Sequence, residues 1–159
     1  MKTYYKTVTQ RSFLKRIYHF DDCGKIPCDT ILQAQRFFFD DNKQRVKIQS
    51  KFPVMHFTDN ALDGLLWFLR LTDHQVWEAT IYVVQPLTPI VKQICRDSAG
   101  FYQCGAEIIR IDRQLCPSLL INQIKQEFEH NQIPKENPYP SAPDAVKIYN
   151  WLLHDEPML

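Results

Sequence analysis

Glycine is scarce in this chain of 159 residues, which has four glycines, whereas aromatic residues make up 13% of it. This composition excludes the low-complexity and disordered classes and indicates a well-filled core. The formal net charge is +1, so the sequence carries no strong electrostatic signal for nucleic acid or an anionic membrane. No apolar run approaches the roughly 18 residues of a membrane span. We therefore expect a soluble protein.

Motifs that mark several large enzyme classes are also missing. The chain has no phosphate-binding loop, dinucleotide fingerprint, nucleophile elbow or HExxH zinc motif. Its five cysteines are odd in number and none shows the C-x-x-C spacing of a zinc site. We expect free thiols, no metal site and a cytoplasmic location, unless a specialised secretion route delivers the protein.

The order of predicted elements indicates the α+β class, and the length favours a single domain, 1–159. Alternating and β-branched residues predict strands at 3–9, 54–58, 77–84 and 107–111. Apolar residues at helical spacing predict helices at 10–20, from Asp59 onward, at 117–128, and through Leu153 with Ser141 or Asp144 as its cap. The segments 30–39 and 90–95 are compatible with strand or helical turn.

Glu107 is the most informative single residue. The segment Phe101 to Ile111 places it at the mouth of a buried-looking strand, and the polar run 96–100 before it is typical of a loop. Glu107 is therefore predicted to lie where a loop joins a sheet. His56 falls inside an apolar strand just before a helix, where side chains face a cleft. The same patterns also fit other roles. Glu107 could be an ordinary charge at the edge of the sheet, and His56 could be a hydrogen-bonded histidine of the core.

Three segments in this order resemble the ADP-ribosyltransferase family. They are an opening strand with Tyr4-Tyr5-Lys6-Thr7, a strand-to-helix step at His56-Phe57-Thr58-Asp59, and a late strand with Glu107. The resemblance covers residues 3–115 and leaves 117–159 as a C-terminal helical appendage with a Pro-rich connector. It implies two small, mostly antiparallel sheets that form an NAD-binding cleft with flanking helices.

The resemblance also implies a role for each matching residue. Glu107 would hydrogen-bond the nicotinamide ribose and stabilise the cationic transition state as nicotinamide leaves. Thr58 would line the nicotinamide pocket, and Tyr82 or Phe57 would stack on the ring. The other implied NAD-binding residues are Tyr5, Lys6, Thr7, His56 and Gln103. A protein is one implied acceptor.

Two positions depart from the family pattern. Lys6 stands where an Arg or His is expected, and Lys offers a point charge instead of a planar fork or an imidazole. Gly105 stands two residues before Glu107, where arginine-modifying members carry Gln or Glu, and Gln103 comes two positions too early. A degenerate relative that binds NAD without catalysis would have the same sequence features.

A non-catalytic protein-interaction module is the alternative function. The run Phe37-Phe38-Phe39 cannot point all three rings into one core, so one ring is expected to meet a partner. The Pro-rich segment 133–143 would supply a second contact surface. A third hypothesis, a small hydrolase that uses Glu107 with His56, is supported by residue types alone.

Overall fold

The computed structural model describes residues 2–9, 26–34, 37–39, 42–47, 55–73, 79–94 and 102–157. The strands within these ranges are β1 (Tyr4–Thr9), β2 (Ile31–Gln33), β3 (Phe37–Phe39), β4 (Arg45–Lys47), β5 (Met55–Phe57), β6 (Ala79–Pro86), β7 (Val91–Ile94), β8 (Tyr102–Ala106) and β9 (Ile108–Leu115). The helices are α1 (Ala61–Asp73), α2 (Pro117–Glu129) and α3 (Pro143–His154). The helix predicted at 10–20 and the loop predicted at 96–100 lie outside the described residues.

Two antiparallel sheets organise the fold. A four-stranded sheet has the order β1-β6-β9-β2, a three-stranded sheet has the order β5-β8-β7, and β3 pairs with β4 in a two-stranded ribbon. With the three helices, this arrangement confirms the predicted α+β class. The two sheets meet where Tyr5 of β1 and Thr58, directly after β5, exchange backbone hydrogen bonds of 2.9 and 2.8 Å.

The four-stranded sheet lies between two apolar layers. Because successive side chains on a strand point to opposite faces, Ile81 and Val83 of β6 pack toward the helices, while Tyr82 and Val84 pack toward the three-stranded sheet. The helical layer consists of Tyr5, Ala61, Leu62, Leu65, Leu66, Ile81, Val83, Leu120, Ile124, Ile133, Tyr139, Ala145, Ile148 and Tyr149. The inter-sheet layer consists of Val8, Ile26, Leu32, Met55, Phe57, Tyr82, Val84, Cys104, Ala106, Ile109 and Ile111.

A β-bulge lets β9 contribute to both layers. Val83 pairs with Arg113 and Val84 with Ile111, so Asp112 is an extra residue on β9. Ile111 packs in the inter-sheet layer, whereas Leu115, four residues later, packs against the helical layer. In a regular strand, residues four apart would face the same side of the sheet.

The helix starts differ from prediction in two places. The side chain of Asn60, not Asp59, caps α1, because Asn60 Oδ1 accepts the Asp63 N–H at 2.8 Å. Ala142 stands at the cap position of α3 and makes no side-chain hydrogen bond. Neither Ser141 nor Asp144 is needed there, since Pro143 already has the backbone angle of a first helical residue.

The two C-terminal helices, expected as an appendage, pack into the helical layer. Helix α2 lies against α1, and α3 adds Ala145, Ile148 and Tyr149. The Pro-rich connector between them runs over the surface, where most of its residues are exposed, and two buried side chains, Ile133 and Tyr139, anchor it to the core. None of the helices in the described ranges is long and apolar enough to cross a bilayer.

Candidate functional site

Glu107 is the single residue between β8 and β9. Because β8 belongs to the three-stranded sheet and β9 to the four-stranded sheet, the chain passes from one sheet to the other at Glu107. The prediction that a loop directly precedes Glu107 is wrong, since residues 102–106 form a strand. The Glu107 side chain is exposed.

The backbone around Glu107 is held by two other parts of the chain. The Ala34 N–H donates to the Glu107 carbonyl at 2.8 Å. On the next residue, the Ile108 N–H donates to Thr88 Oγ1 at 3.0 Å and the Ile108 carbonyl accepts the Leu87 N–H at 2.8 Å. An exposed carboxylate thus projects from a backbone fixed on both sides.

Lys6 and His56 are brought together. Lys6 is 7% exposed, and its Nζ donates to the His56 carbonyl at 2.8 Å. His56 is half-buried and pairs across the three-stranded sheet with Gly105, two residues before Glu107. Thr7, the next residue on β1, is half-buried and pairs with Ile81 of β6.

Four of the other predicted NAD-binding residues are packed inside the protein. Tyr82 and Phe57, predicted to stack on nicotinamide, belong to the inter-sheet layer. The Tyr82 hydroxyl accepts the Ile26 N–H at 3.0 Å, and Phe57 contacts Tyr4 edge to face at 5.3 Å between ring centroids. These two rings therefore stabilise the contact between the sheets.

Tyr5 and Thr58 join the sheets to the helical layer. Both are 2% exposed, and Thr58 Oγ1 donates to the Tyr5 carbonyl at 3.3 Å. The backbone of Gln103 pairs with Gln93 of β7; its side chain lies outside the described part. Because Phe57 pairs with Cys104, Thr58 is level with Gln103, four residues from Glu107. That offset is about 13 Å along the strand, so Thr58 and Glu107 do not converge.

A second group of polar residues lies at the start of α1. Asp63 is 3% exposed, and its carboxylate accepts the Tyr139 hydroxyl at 2.6 Å and the Asn60 side-chain amide at 2.7 Å. Burial raises the pKa of Asp63 to about 6, although both hydrogen bonds favour the ionised form and lower it in part. This network fixes the connector before α3 to the first turn of α1.

Glu127 of α2 reaches the same helix start from the side. It is 5% exposed, and its two carboxylate oxygens accept the Ala61 N–H at 3.0 and 3.2 Å. Burial raises the pKa of Glu127 to about 7; the Ala61 hydrogen bond opposes this rise, and the negative charges of Asp59 and Asp63 add to it. A carboxyl group that titrates near neutral pH beside a cavity is a candidate functional group.

Asp59 forms ion pairs with two lysines in this region. Lys2 Nζ approaches its Oδ2 at 3.1 Å and Lys92 Nζ at 3.5 Å. Partial burial opposes the ionisation of Asp59, but the hydrogen bond and charge of Lys2 outweigh it and hold the pKa of Asp59 below its usual value. The positive charge of Lys2 is thereby matched within the cluster.

Two concavities adjoin these residues. A polar cavity of about 440 Å³ is lined by Lys2, Thr3, Asp59, Gln123, Glu127 and Gln132. A wider groove of about 810 Å³ runs along the four-stranded sheet, and its lining includes Lys2, Gln85, Thr88 and Arg113. Thr88 is the residue whose hydroxyl binds the Ile108 N–H, so one wall of the groove touches the backbone next to Glu107.

Neither Asp63 nor Glu127 was singled out as a site residue from the sequence, although each belongs to a recognisable sequence pattern. Asn60 and Asp63 have the three-residue spacing of a capping pair. Glu127 follows Leu120 and Ile124 at helical spacing, so it continues the apolar stripe of α2. A carboxylate on an apolar stripe must find a partner or change its pKa.

Three comparisons, with protein-family models, with curated proteins and with solved structures, find no match to this chain. Within the described ranges, no three His, Cys, Asp or Glu side chains are grouped as metal ligands. Cys28, Cys104 and Cys116 are free thiols, of which Cys104 is buried.

Proposed function

We propose that this protein transfers ADP-ribose from NAD to an acceptor, with Glu107 as the catalytic carboxylate. The observation that carries the proposal is the position of Glu107, an exposed acid on a backbone fixed by hydrogen bonds at the junction of two antiparallel sheets. Catalytic groups require such positional restraint while remaining accessible to substrate. The sequence resemblance independently selects the same residue.

The proposed step breaks the bond between nicotinamide and the ribose C1′, and the bonding electrons leave with nicotinamide. Positive charge then develops on the ribose, where the Glu107 carboxylate stabilises it more strongly than in the ground state. A nucleophile on the acceptor forms the new bond to C1′ and loses its proton to solvent water. A protein side chain is one acceptor that the resemblance implies.

The groove of about 810 Å³ has the size of a small-molecule binding site. Its lining includes the cationic side chains of Lys2 and Arg113, which pair with Asp59 and with Asp112 of the same groove. To bind the pyrophosphate of NAD, these cations would exchange the carboxylates for phosphate oxygens. Thr88 connects the groove to the backbone of Glu107. We therefore assign NAD to this groove, with the nicotinamide end toward Glu107.

This assignment changes the roles that the resemblance implied. Tyr5, Phe57, Thr58 and Tyr82 would support the site from within the apolar layers without touching NAD. Lys6 would act through its hydrogen bond to the His56 carbonyl. We also propose a cytoplasmic location, where NAD is abundant and free thiols persist.

The test is NAD turnover by the wild-type protein and Glu107→Gln. We expect nicotinamide release by the wild type, loss of at least about 100-fold in Glu107→Gln, and unchanged thermal stability because the side chain is exposed. Glu156→Gln, another exposed acid, is the matched control and should retain full activity. Absence of a saturable thermal shift and of nicotinamide release at millimolar NAD in the wild type would contradict the proposal.

The interaction-module alternative stays a prediction. Part of its expected surface is already occupied, because Ile133 and Tyr139 of the Pro-rich segment are buried and the Tyr149 hydroxyl donates to the Pro134 carbonyl at 2.6 Å. The backbone of Phe37–Phe39 pairs with β4, and the exposure of its rings lies outside what the structure describes.

A further inference from the structure

The polar cavity beside α1 has a composition suited to a charged small molecule. Its lining residues are Glu127, Gln123, Gln132, Thr3 and the ion-paired Lys2 and Asp59. Its volume of about 440 Å³ lies in the range of small-molecule sites. The position of Thr58 relative to Glu107 places this end of β5 away from the proposed catalytic carboxylate.

Glu127 has unused hydrogen-bonding capacity on the cavity wall. A carboxylate offers about four acceptor positions, and in the described ranges the Ala61 N–H is the donor that reaches Glu127. Lys2, the cation that lines the cavity, is bound to Asp59. In the described ranges no cation is paired directly with Glu127, and the charge of Lys2 lowers the pKa of Glu127 only in part. Glu127 is 5% exposed, so its ionised form is incompletely compensated.

We propose that this cavity binds a small organic cation of the guanidinium class, held by the Glu127 carboxylate and the side-chain oxygens of Gln123 and Gln132. A guanidinium group has five N–H donors in one plane and can pair with both oxygens of a carboxylate. The amide oxygens accept the donors that remain. The inference does not rest on NAD chemistry at Glu107, and Lys2 and Thr3 border both the cavity and the groove.

Binding should strengthen as the pH rises, because the cation pairs with the ionised form of Glu127. With a pKa of about 7, the ionised fraction increases about 30-fold between about pH 5.5 and 8. Asp63, with a pKa of about 6, also ionises over part of this range, and its negative charge likewise increases the affinity for the cation. The pKa of Asp59 is lowered and that of Lys2 is raised by their mutual ion pair, so both stay charged over this range and do not contribute to the change.

The experiment titrates the full chain with methylguanidinium and follows the Glu127 side-chain carboxyl carbon by NMR, with methylurea as the neutral ligand of the same shape. We expect saturable shifts with methylguanidinium, a fall of at least about one unit in the pKa of Glu127, and affinity at least ten-fold higher at about pH 8 than at pH 5.5. Methylurea should cause no saturable shift.

Two test variants and one control variant keep the test decisive. Glu127→Gln preserves an oxygen for the Ala61 N–H and should lose at least ten-fold in affinity, whereas Glu129→Gln on the same helix, where Glu129 is exposed, should bind like the wild type. Gln123→Phe fills the cavity without altering the carboxyl group and should also abolish binding. Equal responses to methylguanidinium and methylurea, or undiminished binding by folded Glu127→Gln and Gln123→Phe, would overturn the proposal.

Discussion

At the scale of the residue, the described structure contains two buried carboxyl groups on helices. Glu127 replaces an apolar residue on the stripe of α2, and Asp63 lies within the first turn of α1. Each has hydrogen-bond donors, but too few to replace the water that a carboxylate loses on burial. Folding therefore favours their protonated forms.

Glu127 should make stability fall as the pH rises toward neutrality. Its pKa of about 7 in the folded protein exceeds the ordinary value near 4.3, so between these values the folded state holds a proton that the unfolded chain has lost. The stabilising effect is complete below about pH 4 and disappears as the pH passes about 7. We expect a loss on the order of 1–2 kcal/mol in the free energy of unfolding.

Urea denaturation from about pH 5 to 8 measures this effect. Glu127→Gln should show a smaller decrease than the wild type, with a residual slope from Asp63, and Glu129→Gln should follow the wild type. A Glu127→Gln slope identical to that of the wild type would show that Glu127 titrates normally.

Some features of individual residues could not be predicted from the sequence. The position of Tyr82 on a strand was correctly predicted from alternation, yet alternation cannot say which face meets a ligand and which meets a second sheet. Gly105, Ala106 and Glu107 interrupt the strand propensity of residues 101–111, but a local interruption does not show that the chain passes to a second sheet there. The partner of Glu127 is Ala61, 66 residues away, and no local pattern encodes such a contact.

At the scale of the element, α1 packs unusually close to β1. A Cβ added at Gly64 would lie 3.2 Å from Tyr5 Cβ and 3.2 Å from Thr58 Oγ1. Tyr5 and Thr58 are fixed by their mutual backbone hydrogen bonds, so neither can move without disturbing the contact between the sheets. Because Gly64 has no side chain, α1 can contact both β1 and the end of β5 there.

Gly64→Ala should therefore destabilise the protein, although alanine is the better helix former by about 1 kcal/mol. We expect a net loss of about 1–3 kcal/mol from overpacking, measured by chemical denaturation, and a larger loss for Gly64→Ser. Ser118→Ala, at an exposed position in the first turn of α2, is the control and should change stability by less than about 0.5 kcal/mol. If Gly64→Ala instead raised the free energy of unfolding, this would show that β1 can move away from α1 to accommodate the added methyl group.

At the scale of the whole molecule, the four-stranded sheet is shared by both apolar layers. Neither layer can lose its packing without exposing one face of the same strands. We therefore expect the helices and the three-stranded sheet to unfold together in a single transition.

Matched truncations in the two layers test this expectation. Ile109 of the inter-sheet layer and Ile124 of the helical layer are both fully buried, and Ile→Ala at either site should cost about 2–5 kcal/mol. Tryptophan fluorescence and far-ultraviolet circular dichroism should give the same denaturation midpoint in each variant. Separate midpoints would reveal layers that unfold independently.

The bulge at Asp112 sets a limit on how this chain can change length. Removing that one residue would restore regular alternation and turn Leu115 from the helical layer toward the opposite face. Helix α2 begins two residues later, so its attachment to the sheet would rotate as well. Insertions and deletions should therefore be far less tolerated in β9 than at the exposed turn near Lys43. Substitution is the safer route by which the groove could be altered.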